Sequence, residues 1–128
     1  MLAAARAGYP LEVCGVLLGE GRFVHAVVPV KNAEPESPRV RYQIAPEELA
    51  RIQREGREVG LDIVGYYHSH PDHPARPSAT DRALAAEGLS DGVVHVVVGV
   101  DGARCATLTA WVFRDKGQDF DRVPFEIE

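Results

Sequence analysis

The stretch Leu61–Asp81, LDIVGYYHSHPDHPARPSATD, decides how this chain folds. Its first seven residues form an apolar run that is typical of a buried strand. Side chains alternate along a strand, so if the strand continues through His70, His68 and His70 point to the same face. A proline-rich loop then leads to Ser78 and, three residues later, to Asp81.

These residue types suit a metal ion. Two imidazoles on one face at a strand end can share one cation, and a loop of this length can bring Asp81 back beside them. Two histidines and one carboxylate leave the fourth position of a tetrahedral zinc ion open to water, which distinguishes a catalytic site from a structural one. The stretch therefore predicts a zinc hydrolase with His68, His70 and Asp81 as candidate ligands.

Ser78 and Asp81 also allow a purely structural interpretation. Ser-x-x-Asp before an apolar run is close to a capping box, in which the serine caps a helix and the acid reaches back to it. The two interpretations compete for Asp81, because a carboxylate that binds zinc is not expected to point at the N-cap amide. Ser78 could cap the helix and still expose its hydroxyl to the site.

Glu12 is the candidate general base. It precedes Cys14 and Gly15 in otherwise apolar sequence, where a carboxylate is costly to bury unless it is paired. A solvated strand end would explain it without any chemistry. A zinc hydrolase needs a carboxylate that takes a proton from water and carries it to the leaving amine. The His-Glu-x-x-His helix motif, which supplies base and ligands together, is absent, so the base must come from a distant part of the chain.

Taken together, these positions resemble the signature of the JAMM (MPN+) zinc metalloprotease family. The segments Pro10–Gly15 and Tyr67–Pro71 are similar to those of its small prokaryotic members, and the resemblance extends over nearly the whole chain. It implies that His68, His70 and Asp81 bind one zinc ion and that Glu12 deprotonates the water. Ser78 would stabilise the tetrahedral oxyanion.

The resemblance also implies a fold and a substrate. The fold expected is α+β, a central mixed β-sheet flanked by helices with cytidine-deaminase-like layering, in one JAMM/MPN+ domain over residues 1–128. Eukaryotic members cleave isopeptide bonds to ubiquitin. Prokaryotic members act on ubiquitin-like or sulfur-carrier proteins at the bond after a C-terminal Gly-Gly, which joins the carrier to a lysine or to a cysteine.

One departure from the family narrows the expected activity. Relatives that are specific for ubiquitin chains carry an insertion beyond the catalytic helix, whereas here only a short stretch, Glu87 to Gly92, separates that helix from the expected strand VVHVVVGV. A simpler groove for the substrate tail is therefore expected. Two alternatives stay open, namely a catalytically silent MPN scaffold that binds a partner, and a peptidase of small peptides or cell-wall-type substrates.

Composition limits the other functions. The chain has 128 residues, a formal net charge of -5, 45% hydrophobic and 26% charged residues, as expected of one soluble globular domain. A general nucleic-acid binder needs a basic footprint, which this charge does not provide. No signal peptide and no membrane span are evident. Cys14 and Cys105 do not suggest a disulfide framework, so a cytoplasmic protein with reduced thiols is expected. The oligomeric state is not indicated.

Local patterns predict the remaining elements. Helices are expected over residues 2–8, from Pro46 to about residue 60, and after Ser78. Strands are expected over 12–19, 22–31, 40–44, 61–70, 93–100, 105–114 and 120–127, with the fifth apolar run, VVHVVVGV, as a central strand. Four other polar residues are expected to have no role in catalysis: His25, Ser69, His73 and His95.

Overall fold

This computed structural model contains both helices and strands. The structure describes residues 1–37, 42–87, 93–102, 105–114 and 119–125. Within those ranges the elements, in chain order, are α1 (Leu2–Gly8), β1 (Cys14–Glu20), β2 (Phe23–Val30), α2 (Pro46–Glu58), β3 (Asp62–Pro71), α3 (Ala79–Glu87), β4 (Val94–Asp101), β5 (Cys105–Arg114) and β6 (Asp119–Val123).

The strands form one six-stranded mixed sheet in the order β2-β1-β3-β4-β5-β6. Of its pairs, β3 and β4 run parallel, and the other four are antiparallel. A parallel pair needs a crossover connection, and α3 lies in the one between β3 and β4. The expected α+β architecture, a mixed sheet with helices, is therefore confirmed.

Helices cover both faces of the sheet. On one face Ala5 of α1 packs with Leu17, Tyr67 and the valines of β4. On the other face Ile52 of α2 packs with Val16 and Leu18 of β1. Each strand in the middle of the sheet is therefore buried on both sides, which explains the nearly unbroken apolar runs of β1 and β4.

Most predicted elements are confirmed, and three differ. Residues 42–44 are not part of a strand, and residues 40–41 of that prediction lie outside the described residues. The α2 helix ends at Glu58, before the expected end near residue 60. Val59 is 72% exposed, so it is not part of the buried apolar face of this helix. The last strand ends at Val123, not near residue 127. The errors in α2 and in the last strand fall at element boundaries, where local sequence is least informative.

The pairing of β1 with β3 places the N-terminal segment beside the histidines. Cys14 is paired with His68 in an antiparallel register, so residues before Cys14 run alongside residues after His68. Gly15 allows this close pairing because a Cβ there would lie 2.2 Å from the Tyr67 ring. The start of β1 and the end of β3 therefore meet at one edge of the core.

Truncation of Ile52 tests the packing of α2. Ile52 is 2% exposed between the helix and β1. We expect Ile52→Ala to lower the free energy of unfolding by about 2–5 kcal/mol, because it leaves a cavity in the core. Urea denaturation followed by circular dichroism measures the change. The control Val59→Ala, at the exposed end of the same helix, should cost no more than about 0.5 kcal/mol. Equal losses in the two variants would contradict this view of the core.

Candidate metal centre and active site

Three side chains from the predicted stretch converge on one point. The Nε2 atoms of His68 and His70 are 3.0 Å apart, and Asp81 Oδ2 lies 3.2 Å from the first and 3.0 Å from the second. Both histidines come from β3 and are buried, and Asp81 comes from the first turn of α3. The structure thus brings together the three ligands that the sequence predicts.

The spacing of these three atoms suits a small cation. Ligand atoms about 2.0–2.1 Å from a tetrahedral zinc ion are about 3.3 Å from one another. The three observed separations, 3.0–3.2 Å, are close to that value. Two imidazole nitrogens and a carboxylate oxygen are also donors that zinc prefers. The residues present therefore fit a divalent metal ion such as zinc.

Asp81 serves the helix and the histidines with the same oxygen. Its Oδ2 accepts a 2.8 Å hydrogen bond from the Ser78 N–H, and its own N–H donates to Ser78 Oγ at 3.1 Å. This reciprocal pair is a capping box at the start of α3. The oxygen that caps α3 is thus the same one that faces both imidazoles, so the carboxylate need not turn away from the helix to reach the histidines.

The ring orientation of His70 is fixed from behind. Its Nδ1 donates a hydrogen bond to the carbonyl oxygen of Pro74 at 2.9 Å, which turns Nε2 towards His68 and Asp81. A backbone carbonyl on the second ring nitrogen is the usual partner of a metal-binding histidine. His68 is held differently, by the Tyr42 ring, which stacks on it at a centroid distance of 4.5 Å and an angle of 18°.

Glu12 enters the site from the segment before β1. It is 4% exposed, and one carboxylate oxygen lies within 4.8 Å of the ring nitrogens of His68 and His70. Its backbone is held on both sides. Val13 exchanges hydrogen bonds with the N–H and Oγ of Ser69, and Asn32 Nδ2 donates to the Glu12 carbonyl at 3.0 Å. Oε1 of Glu12 has no hydrogen-bond partner among the described residues, so it is available to a small polar molecule.

Burial sets the protonation of Glu12. Desolvation raises its pKa from 4.5 to about 8, and the Coulombic effects of His70 and Asp81 are smaller and opposite in sign. A nearby cation would favour the carboxylate and lower this pKa. Glu12 can therefore exchange a proton near neutral pH, as a general base requires.

Burial and hydrogen bonds shift the pKa values of the three clustered groups in different directions. Burial lowers the pKa of His68, an effect larger than that of its hydrogen bond to Asp81. Burial also disfavours charged His70, but its hydrogen bonds to Asp81 and Pro74 raise its pKa above the ordinary value. Burial acts to raise the pKa of Asp81, yet the hydrogen bonds from both imidazoles hold that pKa well below its usual range. Because a ring nitrogen that binds a metal must be deprotonated, metal binding here would compete with protonation of His70.

The structure also gives the positions of the other residues that the sequence analysis named. Ser78 is half-buried at the start of α3, where its Oγ accepts a hydrogen bond and keeps its own proton to donate. Ser69 hydrogen-bonds Val13, as its structural interpretation predicts. His95 is buried against Phe120, which lowers its pKa to about 4, whereas His25 and His73 are exposed.

Two residues near the site were not predicted from the sequence. Tyr42 lies in residues 40–44, for which a strand was expected, and no signal in the sequence places its ring on His68. Asn32 could have been found, because the antiparallel register that pairs Cys14 with Val30 places Asn32 opposite Glu12. The signal that identifies Asn32 is the β1–β2 register continued two residues beyond Cys14 and Val30, and not its residue type.

The site thus has parts that suit a metal-dependent hydrolase: three clustered side chains of the types that bind zinc, a buried carboxylate beside them and a hydroxyl donor at a helix start. Residues 1–114 match the family described as prokaryotic homologs of the JAB domain. The chain belongs to this family.

Curated relatives agree with this assignment. The chain is 44% identical over 99 residues to the desampylase of Haloferax volcanii, a match covering 76% of this chain and 68% of the relative. It is 35% identical over 99 residues to the probable TtuB-protein conjugate cleaving protease of Thermus thermophilus (77% and 63%). It is 39% identical over 89 residues to the CysO-cysteine peptidase of Mycobacterium tuberculosis (68% and 60%).

Solved structures share the fold. A solution structure of a Desulfitobacterium hafniense protein superposes with a TM-score of 0.79 at 29% identity, covering 96% of this chain and 82% of the other. The JAB1/MPN domain protein from Archaeoglobus fulgidus superposes with a TM-score of 0.58 at 18% identity, covering 98% and 85%. Across the described ranges, no helix combines the length and apolar character that crossing a membrane requires.

The pKa of Glu12 predicts how the zinc-free chain responds to pH. Because the folded pKa is raised from 4.5 to about 8, the stability that neutral Glu12 provides is complete below about pH 4.5 and is lost as the pH rises through about 8. Glu12→Gln stays neutral throughout. We expect this variant to gain stability over the wild type, on the order of 3 kcal/mol, between about pH 5 and pH 9.

Chemical denaturation of both chains in the presence of a chelator measures this difference at each pH. The same comparison with Glu20→Gln, an exposed carboxylate at the end of β1, is the control. Parallel pH profiles for the wild type and Glu12→Gln would show that Glu12 is not buried as the structure has it.

Proposed function

We propose that this protein is a zinc-dependent metallopeptidase of the JAMM type that hydrolyses the bond after the C-terminal Gly-Gly of a ubiquitin-like or sulfur-carrier protein. In this proposal His68, His70 and Asp81 hold one zinc ion per chain. Glu12 is the general base and Ser78 stabilises the oxyanion. The cytoplasmic location expected from the sequence stays a prediction.

One observation supports this function above the others. Three ligand atoms from β3 and α3 lie 3.0–3.2 Å apart, and a buried carboxylate with an unpartnered oxygen stands next to them. An interaction domain has no need to bury such a group, because an unpaired polar atom in the interior costs about 1–3 kcal/mol. A catalytic site has that need.

The chemistry divides among the residues by their positions. A bound divalent ion supplies Lewis-acid activation of water and of the scissile carbonyl. Glu12 takes the proton of the attacking water and delivers it to the leaving nitrogen or sulfur, for which a pKa near neutrality is suited. His70 keeps its Nδ1 proton on the Pro74 carbonyl throughout, so its other nitrogen remains a ligand.

Ser78 provides the donor for the developing negative charge. Its Oγ already accepts a hydrogen bond from the Asp81 N–H, which fixes the direction of the remaining hydroxyl proton. A donor that is held in place before the reaction stabilises an oxyanion without reorganisation. The N-terminus of α3 adds a favourable partial positive charge on the same side.

The substrate class follows from the relatives. Relatives of this chain are named for cleaving carrier-protein conjugates, TtuB-protein conjugates in one case and CysO-cysteine in another. The substrate of this chain is accordingly a ubiquitin-like or sulfur-carrier protein, bound through its extended tail. Main-chain hydrogen bonds to a strand or loop near the site suit such a tail.

Two substitutions separate metal binding from catalysis. We expect Glu12→Gln to keep about one zinc per chain and to lose turnover by several orders of magnitude, because the proton acceptor is gone. Asp81→Ala should lose the metal as well, because it removes a ligand. Metal analysis of purified protein and mass spectrometry of candidate carriers, taken from the same genome, measure both.

The outcomes of this experiment are distinct. Near-normal turnover of Glu12→Gln would remove Glu12 from the mechanism. A wild-type chain that takes up no zinc, even when refolded with it, would favour the silent interaction domain. Cleavage of small peptides, with carrier conjugates left intact, would place the activity in another substrate class.

The glycines of the tail provide a second test. We expect that replacing the penultimate glycine of the carrier by leucine abolishes cleavage, because a narrow channel over the metal would exclude its side chain. Replacement of a residue several positions before the Gly-Gly is the matched control and should leave the rate within a few-fold. Undiminished cleavage of the leucine substrate would rule out the channel.

A further inference from the structure

A hydrogen-bonded chain runs from β5 to the back of His70. Trp111 Nε1 donates to Thr109 Oγ1 at 2.8 Å, and Thr109 Oγ1 donates to the carbonyl oxygen of Ala75 at 2.5 Å. The N–H of the same peptide, that of Arg76, donates to the Pro74 carbonyl at 2.8 Å. That carbonyl also accepts the Nδ1–H of His70.

Thr109 is placed by the sheet itself. It is paired with Val97 in the antiparallel β4–β5 ladder, and Val97 is paired with His68 in the parallel β3–β4 ladder. Thr109 and His68 therefore lie in one row across three strands and on the same face. Thr109 is 5% exposed, so its hydroxyl is committed to the protein interior.

The loop after β3 is seated closely on the next strand. Gly99 is paired with His70 in the β3–β4 ladder. A Cβ on Gly99 would lie 3.1 Å from the Ala75 side chain and 3.2 Å from the Ala75 backbone nitrogen. The loop therefore packs against the backbone of β4 at a position without a side chain. Thr109 hydrogen-bonds the Ala75–Arg76 peptide, and this peptide connects the contact to the Pro74 carbonyl. Asp72 anchors the start of this loop, because its N–H donates to the Val100 carbonyl and its Oδ1 accepts from the Gly102 N–H, and Thr109 anchors the loop further along.

We propose that Thr109, supported by Trp111, is a positioning residue for the metal centre: its hydroxyl fixes the Ala75–Arg76 peptide and, through it, the carbonyl that orients His70. The inference rests on the proposed zinc site. It concerns residues that do not touch the metal, the water or the substrate. Without the hydroxyl the Pro74 carbonyl is free to move, and the Nε2 atom of His70 loses its fixed direction.

Zinc affinity of the full chain tests the proposal. Competition with a chromophoric chelator, well below the unfolding temperature, gives the zinc Kd of each variant. We expect Thr109→Val, which keeps the shape and removes the hydroxyl, to weaken zinc binding by about tenfold, the lower end of what partners of metal-bound histidines contribute. Thr109→Ser restores the hydroxyl and should stay within about threefold of the wild type.

Thr107→Val is the matched control. Thr107 lies two residues earlier on the same face of β5, opposite Gly99, and is exposed. The same change there should leave the Kd unaltered. Trp111→Phe removes only the donor to Thr109 and should weaken binding by a few-fold, so it tests the chain even if Thr109→Val fails to fold.

A spectroscopic readout separates positioning from stability. The visible absorption of bound Co²⁺ reports the geometry of its ligands, and we expect its bands to shift in Thr109→Val and to return in Thr109→Ser. Zinc affinity and Co²⁺ spectra equal to the wild type in both Thr109→Val and Trp111→Phe would overturn the proposal. So would an equal loss in Thr109→Ser and Thr109→Val. A wild-type chain without zinc affinity would instead overturn the metal centre itself.

Discussion

The antiparallel pairing of β1 with β3 is the constraint on which the site depends. It buries a carboxylate that lies 56 residues from the first histidine in sequence, and it does so with main-chain hydrogen bonds that any sequence of suitable pattern could make. Ser69 extends the pairing beyond the last ladder partners by bonding both polar groups of Val13. Because Glu12 directly precedes Val13, its position is set by the sheet and not by its own side-chain contacts.

The same sheet explains why burial here is tolerable. A carboxylate, two imidazoles and a second carboxylate would normally be costly in an interior that also holds Val16 and Val97. Three of these four groups satisfy one another at hydrogen-bond distance, and the fourth is held neutral by its raised pKa. Two buried atoms, Glu12 Oε1 and His68 Nδ1, still have no hydrogen-bond partner among the described residues, so the cluster keeps polar groups whose cost is not offset.

Much of this arrangement could be predicted from the sequence, and the reasons are local. The alternation of a strand places His68 and His70 on one face, and Ser-x-x-Asp fixes the start of α3. Glu12 was found only because a carboxylate in apolar sequence needs an explanation, and because its context resembles a known signature. No local rule gives the register of strands far apart in sequence, so the distance between Glu12 and the histidines required the structure.

The contacts that were not predicted from the sequence have a common cause. The ring of Tyr42 on His68 and the hydrogen bond from Thr109 to Ala75 both join segments that are distant in sequence and leave no periodic pattern. Threonine in a strand is ordinary by propensity, and only its place in the row that contains His68 gives it meaning.

The capping box at the start of α3 has a consequence for how fast a cation can be captured. Since the carboxylate of Asp81 is held by the helix it begins, its rotamer is already restricted when the protein folds. The conformational entropy of ordering that side chain, which can reach about 1 kcal/mol or more, is therefore lost during folding and not at the moment of encounter. A preorganised cage of this kind favours rapid association, and ion release then requires either local fraying of a helix end or protonation of an imidazole.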